Sequence, residues 1–231
     1  MIRIVSLILF FAISASAFCQ DSDVEPSVNP GINKSFKDPE IDVKKMVQRF
    51  ELESREVFQF RESIVDACNI KSGMTIADVG AGTGLFSRLF ARRVGTDGWV
   101  YAVDIAPKML AHIVRTADKE KLKNITAVVC AENSIKLPPN SVDLVFICDT
   151  YHHFEFPKTT LASIHQSLRK GGRLVIIDFE RIEGKTRDWL MKHVRAGKEV
   201  FRAEIQDAGF EFVEEKTVEG FEENYFLVFR K

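Results

Sequence analysis

Three glycines at alternate positions, Gly80, Gly82 and Gly84, follow the apolar run Thr75–Val79, and an acid, Asp78, stands two residues ahead of the first. A helical pattern begins at once in Leu85, Phe86, Leu89, Phe90 and Val94. Strand, glycine loop and helix in that order bring main-chain N–H groups close to a ligand, an approach that a Cβ would block. A plain turn needs one glycine, so three in five residues argue for a ligand cradle. The next β-rich run, "WVYAVD", ends in Asp104, whose carboxylate can accept hydrogen bonds from both hydroxyls of a ribose. Each charge-assisted bond of that kind contributes about 1.5–3 kcal/mol. The same residue could instead cap the helix that starts near Pro107. Further on, "DTYHHF" at 149–154 places His152 and His153 at the exit of another apolar run, where a neutral imidazole can act as a general base toward a hydroxyl or amine. Neighbouring side chains of an extended chain point to opposite faces, so one of the two is expected to reach the cleft.

The elements that must position these residues follow from periodicity. Apolar runs at 75–79, 99–103, 125–129, 142–148 and 173–178 are β-rich, and 84–95, 107–120 and 158–169 carry helical spacing. Near-continuous apolar strands alternating with helices indicate a parallel sheet covered on both faces. A longer helical region at 186–208 leads to "FEFVEEKTV" and "NYFLVFR", close enough to pair as an antiparallel hairpin. The expected fold is α/β, a Rossmann-like doubly wound sheet of seven strands, mostly parallel with an antiparallel C-terminal edge. Residues 41–68 should form two helices or one bent helix ahead of it. In such a sheet the ligand sits beyond the carboxyl ends of the strands, where the strand order reverses, and the glycine loop after the first strand belongs there.

With 231 residues the chain is long enough for one domain with a full core. Its 32 basic and 33 acidic residues leave a net charge of -1, so no global positive field draws it to nucleic acid. The N-terminus, "MIRIVSLILFFAISASAFCQ", has an early Arg, an apolar run and small residues around Ala15–Ala17, the pattern of a secretory signal. This organisation predicts a signal peptide over 1–17, a flexible linker over 18–39 and a folded domain over 40–231. An exported, periplasmic or cell-envelope location follows, with the cytoplasm as the alternative. The apolar run is too short for a comfortable membrane span. Cys68, Cys130 and Cys148 lie in apolar patterns without metal-ligand spacing and read as buried hydrophobes.

The spacing G-x-G-x-G differs from the dinucleotide fingerprint G-x-G-x-x-G, whose third glycine would fall at Leu85, and this disfavours a nicotinamide cofactor. With Asp78 ahead of it, the loop resembles motif I of the class I S-adenosylmethionine-dependent methyltransferases. The resemblance continues from about residue 45 to 230, through "AVDIAPKML", "CAENSIKLP", "SVDLVFICDTYHHF" and "LRKGGRLVIID", and is closest to small-molecule enzymes of the ubiquinone-biosynthesis type. It implies S-adenosylmethionine as cofactor. Gly80, Gly82 and Gly84 would form the loop, Asp78 would meet the methionine end, and Asp104 the ribose. Ile105 and Met109 would flank the adenine, with Glu132 or Asn133 at its edge and Asp149 at the exit of the fourth strand. His152 and His153 would face a small-molecule acceptor. Asp149 and Asp178 occupy two positions of the metal-dependent catechol-type enzymes, but Phe179 replaces the amide ligand, so no metal is expected. Trp189 and His193 share a helical face, and with Arg195, Arg49, Glu51 and Arg55 they are further candidates for the acceptor pocket. The function implied is in-line methyl transfer to a small molecule. The alternatives are an exported nucleoside-binding domain without turnover and an NAD-dependent oxidoreductase.

Overall fold

Apolar runs that would face water on neither side need cover on both, and the chain supplies it by winding helices around one sheet. The computed structural model describes residues 25–53 and 55–231; the expected signal segment and the start of the expected linker fall outside them. Three short helices, α1 (Val43–Phe50), α2 (Glu56–Gln59) and α3 (Arg61–Ala67), precede the sheet where two or one were expected. Then come β1 (Thr75–Val79), α4 (Leu85–Val94), β2 (Trp99–Asp104), α5 (Pro107–Lys119), β3 (Ile125–Val129), β4 (Val142–Cys148), α6 (Pro157–Ser167) and β5 (Leu168–Phe179). The chain closes with α7 (Asp188–His193), α8 (Lys198–Asp207), β6 (Glu211–Lys216) and β7 (Asn224–Arg230).

The sheet has seven strands in the order β3-β2-β1-β4-β5-β7-β6. Strands β1 to β5 pair in parallel, and β7 is antiparallel to both β5 and β6. Order reverses between β1 and β4, so a crevice opens beyond their carboxyl ends. Strand periodicity sorts the core: along β4, Leu144 and Phe146 face one helical layer with Phe86 and Phe90, while Val145 and Ile147 face the other with Leu161 and Phe201. All four β4 side chains are fully buried, which makes the sheet a rigid platform for the loops at its ends.

Two expectations about extent change. The helical region 186–208 splits into α7 and α8 around Val194–Gly197. Residues 25–39, whose composition reads as linker, lie against the domain instead, because their polar side chains find fixed partners. The Glu25 carboxylate accepts from the Lys158 and Thr159 N–H groups at 2.8 Å, and Ser27 Oγ donates to Glu155 at 2.8 Å. Asn33 Nδ2 donates to the His153 carbonyl at 3.0 Å. No helix among the described residues is long and apolar enough to cross a membrane.

Helix α1 is held at its start by Asp42, whose side chain accepts from Lys44 N and Lys45 N. Replacing such a cap by Ala typically costs about 1 kcal/mol. Asp42→Ala should therefore speed amide exchange across Val43–Phe50 roughly fivefold and leave the exchange of the sheet unchanged; equal exchange in α1 would show that the cap contributes nothing.

Candidate active site

A cavity of about 450 Å3 occupies the crevice beyond β1, β2, β4 and β5. Its first half is built by the glycine loop and the end of β2. The Asp104 carboxylate is buried and holds the loop: Oδ2 accepts from Gly82 N and Oδ1 from Ala106 N, both at 2.8 Å. Burial pushes its pKa up, against the pull of these amide dipoles. A carboxylate oxygen has two lone pairs, so each still has one to offer a hydroxyl in the cavity. The capping and ligand readings of Asp104 are thus compatible, since each oxygen can serve an amide and a ligand together.

The glycines divide by what surrounds them. A Cβ on Gly80 would sit 2.2 Å from Thr150 Cγ2, and one on Gly84 would sit 2.7 Å from Ile113 Cγ1. Those two glycines serve packing, and Gly84 lies outside the cavity wall. Gly82 is different: it has φ +54°, and a Cβ there would meet nothing closer than Phe50 at 3.7 Å, which leaves open space for a ligand. Ile105, Met109 and Glu132 line the same half, whereas Asn133 does not. Met109 is fully packed against Ile41, and Glu132 is paired with Lys37 at 2.8 Å. Asp78 lies beneath the loop and accepts from Ser87 Oγ at 2.5 Å; burial lifts its pKa to about 7, the Ser87 bond opposing and the nearby Asp104 charge adding. An acidic hydrogen-bonding edge, an apolar slot and a second buried acid fit a nucleoside carrying an amino-acid tail, so the cavity accommodates S-adenosylmethionine.

The second half is built where β4 and β5 end. Asp149 takes a left-handed conformation, φ 47°, rare for a residue with a side chain, and is held there by its N–H to the Ile177 carbonyl at 2.8 Å. It lines the cavity, with its carboxylate bonded to Arg55 and Asn224. Burial raises its pKa to about 6 although Arg55 pulls it down. Residues Tyr151–His153 form a 3-10 turn rather than an extended strand exit, and this corrects the expectation that one histidine would reach the cleft. A tight turn does not alternate faces, so both His152 and His153 line the cavity. Tyr151 points away and donates to Glu204 at 2.9 Å.

His152 is fixed by a partner that the sequence did not reveal. Its Nδ1 lies 2.7 Å from Asp178 Oδ1, and its N–H donates to Asp178 Oδ2 at 3.1 Å. Burial alone would lower the imidazole pKa, but the Asp178 carboxylate holds it above the ordinary value. His153 is the opposite case: burial, with the neighbouring imidazoles, drives it down to about 2, which makes it a neutral lone-pair donor and too weak a base to take a proton at neutral pH. His193 of α7 completes the group, with Nε2 3.3 Å from His153 Nε2. Phe179 and Trp189 close the end around them, and Phe36 packs edge-on against His153 at 5.3 Å. Of the other candidates, Arg49 and Arg55 line the cavity. Arg195 is bonded to Glu204 and Glu51 to Arg88, so neither faces a ligand. Sequence reading does not place Asn33, Phe36 or Phe50 in the site: Asn33 and Phe36 stand in a polar segment without periodicity, and Phe50 reads only as part of a helical pattern.

Comparison with known proteins agrees with the fold. A family model described as a methyltransferase domain matches residues 70–224. The ubiquinone/menaquinone biosynthesis C-methyltransferase UbiE of Enterobacter sp. (strain 638) is 29% identical over 123 residues, 51% of this chain and 47% of that protein. UbiE of Methylococcus capsulatus is 27% identical over 122 residues, 52% and 49%. The chain spans about half the length of these curated relatives. Among solved structures, a SAM dependent methyltransferase from Aquifex aeolicus is similar at TM-score 0.72 and 26% identity, covering 82% of this chain and 98% of that one. The fold is shared with phosphoethanolamine N-methyltransferase 2 of Haemonchus contortus in complex with S-adenosyl-L-methionine, at TM-score 0.69 and 17% identity over 87% of this chain and 60% of that one.

Proposed function

The chain belongs to the class I S-adenosylmethionine-dependent methyltransferases, and from that premise we propose that it methylates a small molecule held at the imidazole end of its cavity. The observation that carries this reading is the continuity of that cavity. One space of about 450 Å3 runs from the Asp104 carboxylate and Gly82 to His152, His153 and His193. A donor bound at one end therefore meets an acceptor at the other without crossing solvent. Bound S-adenosylmethionine supplies a methyl group already activated by its sulfonium. The chain's own part is to hold and align both reactants and to keep water out. In this reading Asp104 accepts from the ribose hydroxyls, Ile105 and Met109 flank the adenine with Glu132 at its edge, and Asp78 meets the amino group of the methionine end. His152, oriented by Asp178, and His153 present ring nitrogens to the acceptor. The test is formation of S-adenosylhomocysteine in the presence of the donor and a panel of small nucleophiles. A protein that binds the donor but yields none of it with any acceptor would instead be a binding domain of the same fold.

The Asp78 assignment has a pH signature. Its carboxyl, with a pKa of about 7, is half protonated in neutral solution, and a donor ammonium binds the ionised form. Donor affinity should therefore fall as pH drops below 7, approaching tenfold per unit. Binding should also release a proton, which calorimetry reads as a dependence on buffer ionisation enthalpy. Asp78→Asn should flatten the profile between pH 6 and 8, and an equally steep profile in that variant would remove Asp78 from the donor site.

A further inference from the structure

The three histidines at the acceptor end are arranged for more than polar lining. One ring nitrogen from each of His152, His153 and His193 lies within 4.8 Å of the others. The two Nε2 atoms of His153 and His193 are 3.3 Å apart. Two imidazoles bound to a tetrahedral ion at about 2.0–2.1 Å stand roughly 3.3 Å apart. His152 has its Nδ1 engaged by Asp178, which fixes the ring and leaves Nε2 as its free ligand atom; a carboxylate behind a metal-bound histidine does this same work. His153 Nδ1 is buried without any hydrogen-bond partner. Three imidazoles that converge on one point, one of them backed by a carboxylate, form a nitrogen donor set of the kind that holds a metal ion. Arg49 also lines the cavity, and its positive charge lowers the basicity of His153 and His193.

We propose that His152, His153 and His193 bind one divalent transition-metal ion, with zinc as the reference ion, at the acceptor end of the cavity. Three imidazoles and no thiolate suit zinc, nickel, cobalt or ferrous iron rather than magnesium or calcium, which take oxygen ligands. Three protein ligands leave a fourth position open, the pattern of sites that bind a substrate rather than of sites that only staple a fold. Because the histidines line the cavity, that position is open to an acceptor that ligates through oxygen or sulfur. The inference rests on the proposed function only in making this end the acceptor's. It also replaces the expectation, drawn from Phe179, that the chain holds no metal: that expectation concerned an oxygen-ligated magnesium site, and these ligands are nitrogens from one 3-10 turn and from α7.

The test uses the full chain without a histidine tag, stripped with EDTA and titrated with zinc chloride by calorimetry, and with cobalt chloride by visible absorbance. The expected result is one equivalent of zinc with micromolar or tighter affinity and an intense visible cobalt band of a four-coordinate site. His193→Ala, at a half-exposed position, should weaken zinc binding at least 100-fold with its circular dichroism unchanged. Asp178→Asn should weaken it by about 10–100-fold through the loss of the orienting carboxylate. Absence of stoichiometric zinc binding, or the same affinity in His193→Ala, would overturn the proposal. Donor titration of the same stripped sample separates the two readings: donor binding without zinc binding removes the metal site alone, and zinc binding without donor binding removes the methyl-transfer reading alone.

Discussion

Gly82→Val is expected to reduce S-adenosylmethionine binding by about 10²–10⁴ in dissociation constant. The residue has φ +54° and lines the cavity, and its Cβ would meet only the Phe50 ring at 3.7 Å and the Gly80 carbonyl at 3.9 Å, both ordinary contacts. A β-branched side chain strains that backbone by on the order of 1–3 kcal/mol. Relief of the strain moves the Gly82 N–H off Asp104 Oδ2, a charge-assisted bond of about 1.5–3 kcal/mol. The same isopropyl group fills space that the donor needs. Gly73→Val is the matched control, because Gly73 also has positive φ, +80°, with nothing within 4 Å of a Cβ, and it lies outside the cavity. Calorimetry should give near-normal donor affinity for the control and little or none for Gly82→Val; equal losses would mean that backbone strain, not the cavity, explains the effect.

Asp104→Ala should weaken the donor by about 1.5–3 kcal/mol for each ribose hydroxyl it binds, roughly 10- to 150-fold per bond. Part of the loss has a second origin, since the substitution also removes the acceptor of Gly82 N and Ala106 N and loosens the loop before any ligand arrives. Asp104→Asn separates the contributions poorly, because its amide group would face one of two N–H donors. A better separation is a donor analogue lacking one ribose hydroxyl. If Asp104 binds the ribose, wild type should discriminate against the analogue and Asp104→Ala should not. Identical discrimination by the two proteins would assign Asp104 to loop support alone.

Much of the donor half was legible in the sequence because its signals are local. A glycine spaced for close approach, an acid at a strand end and the alternation of apolar runs depend on residues near one another in the chain, and the seven-stranded order observed agrees with them. The acceptor half was only partly legible. His152, His153 and His193 were each noticed, but their convergence needs a 3-10 turn in place of an extended exit and the packing of α7 over it. The pairing of His152 with Asp178 joins residues 26 positions apart on adjacent strand ends. The Pro, Asn and Ser content of 18–39 predicts a linker, yet partners such as Thr159 and Glu155, more than 120 positions away, hold its described part, 25–39, against the domain. Composition reports a segment's own tendency and carries nothing about such partners.

Titration calorimetry of the full chain with S-adenosylmethionine, S-adenosylhomocysteine and NADH, with Asp104→Ala alongside, tests the central claim most directly. Micromolar binding of the first two, no binding of NADH and loss of both in the variant is the predicted result. A folded protein that binds neither S-adenosylmethionine nor S-adenosylhomocysteine, or one that binds NADH tightly, would contradict the assignment of the cavity to the methyl donor.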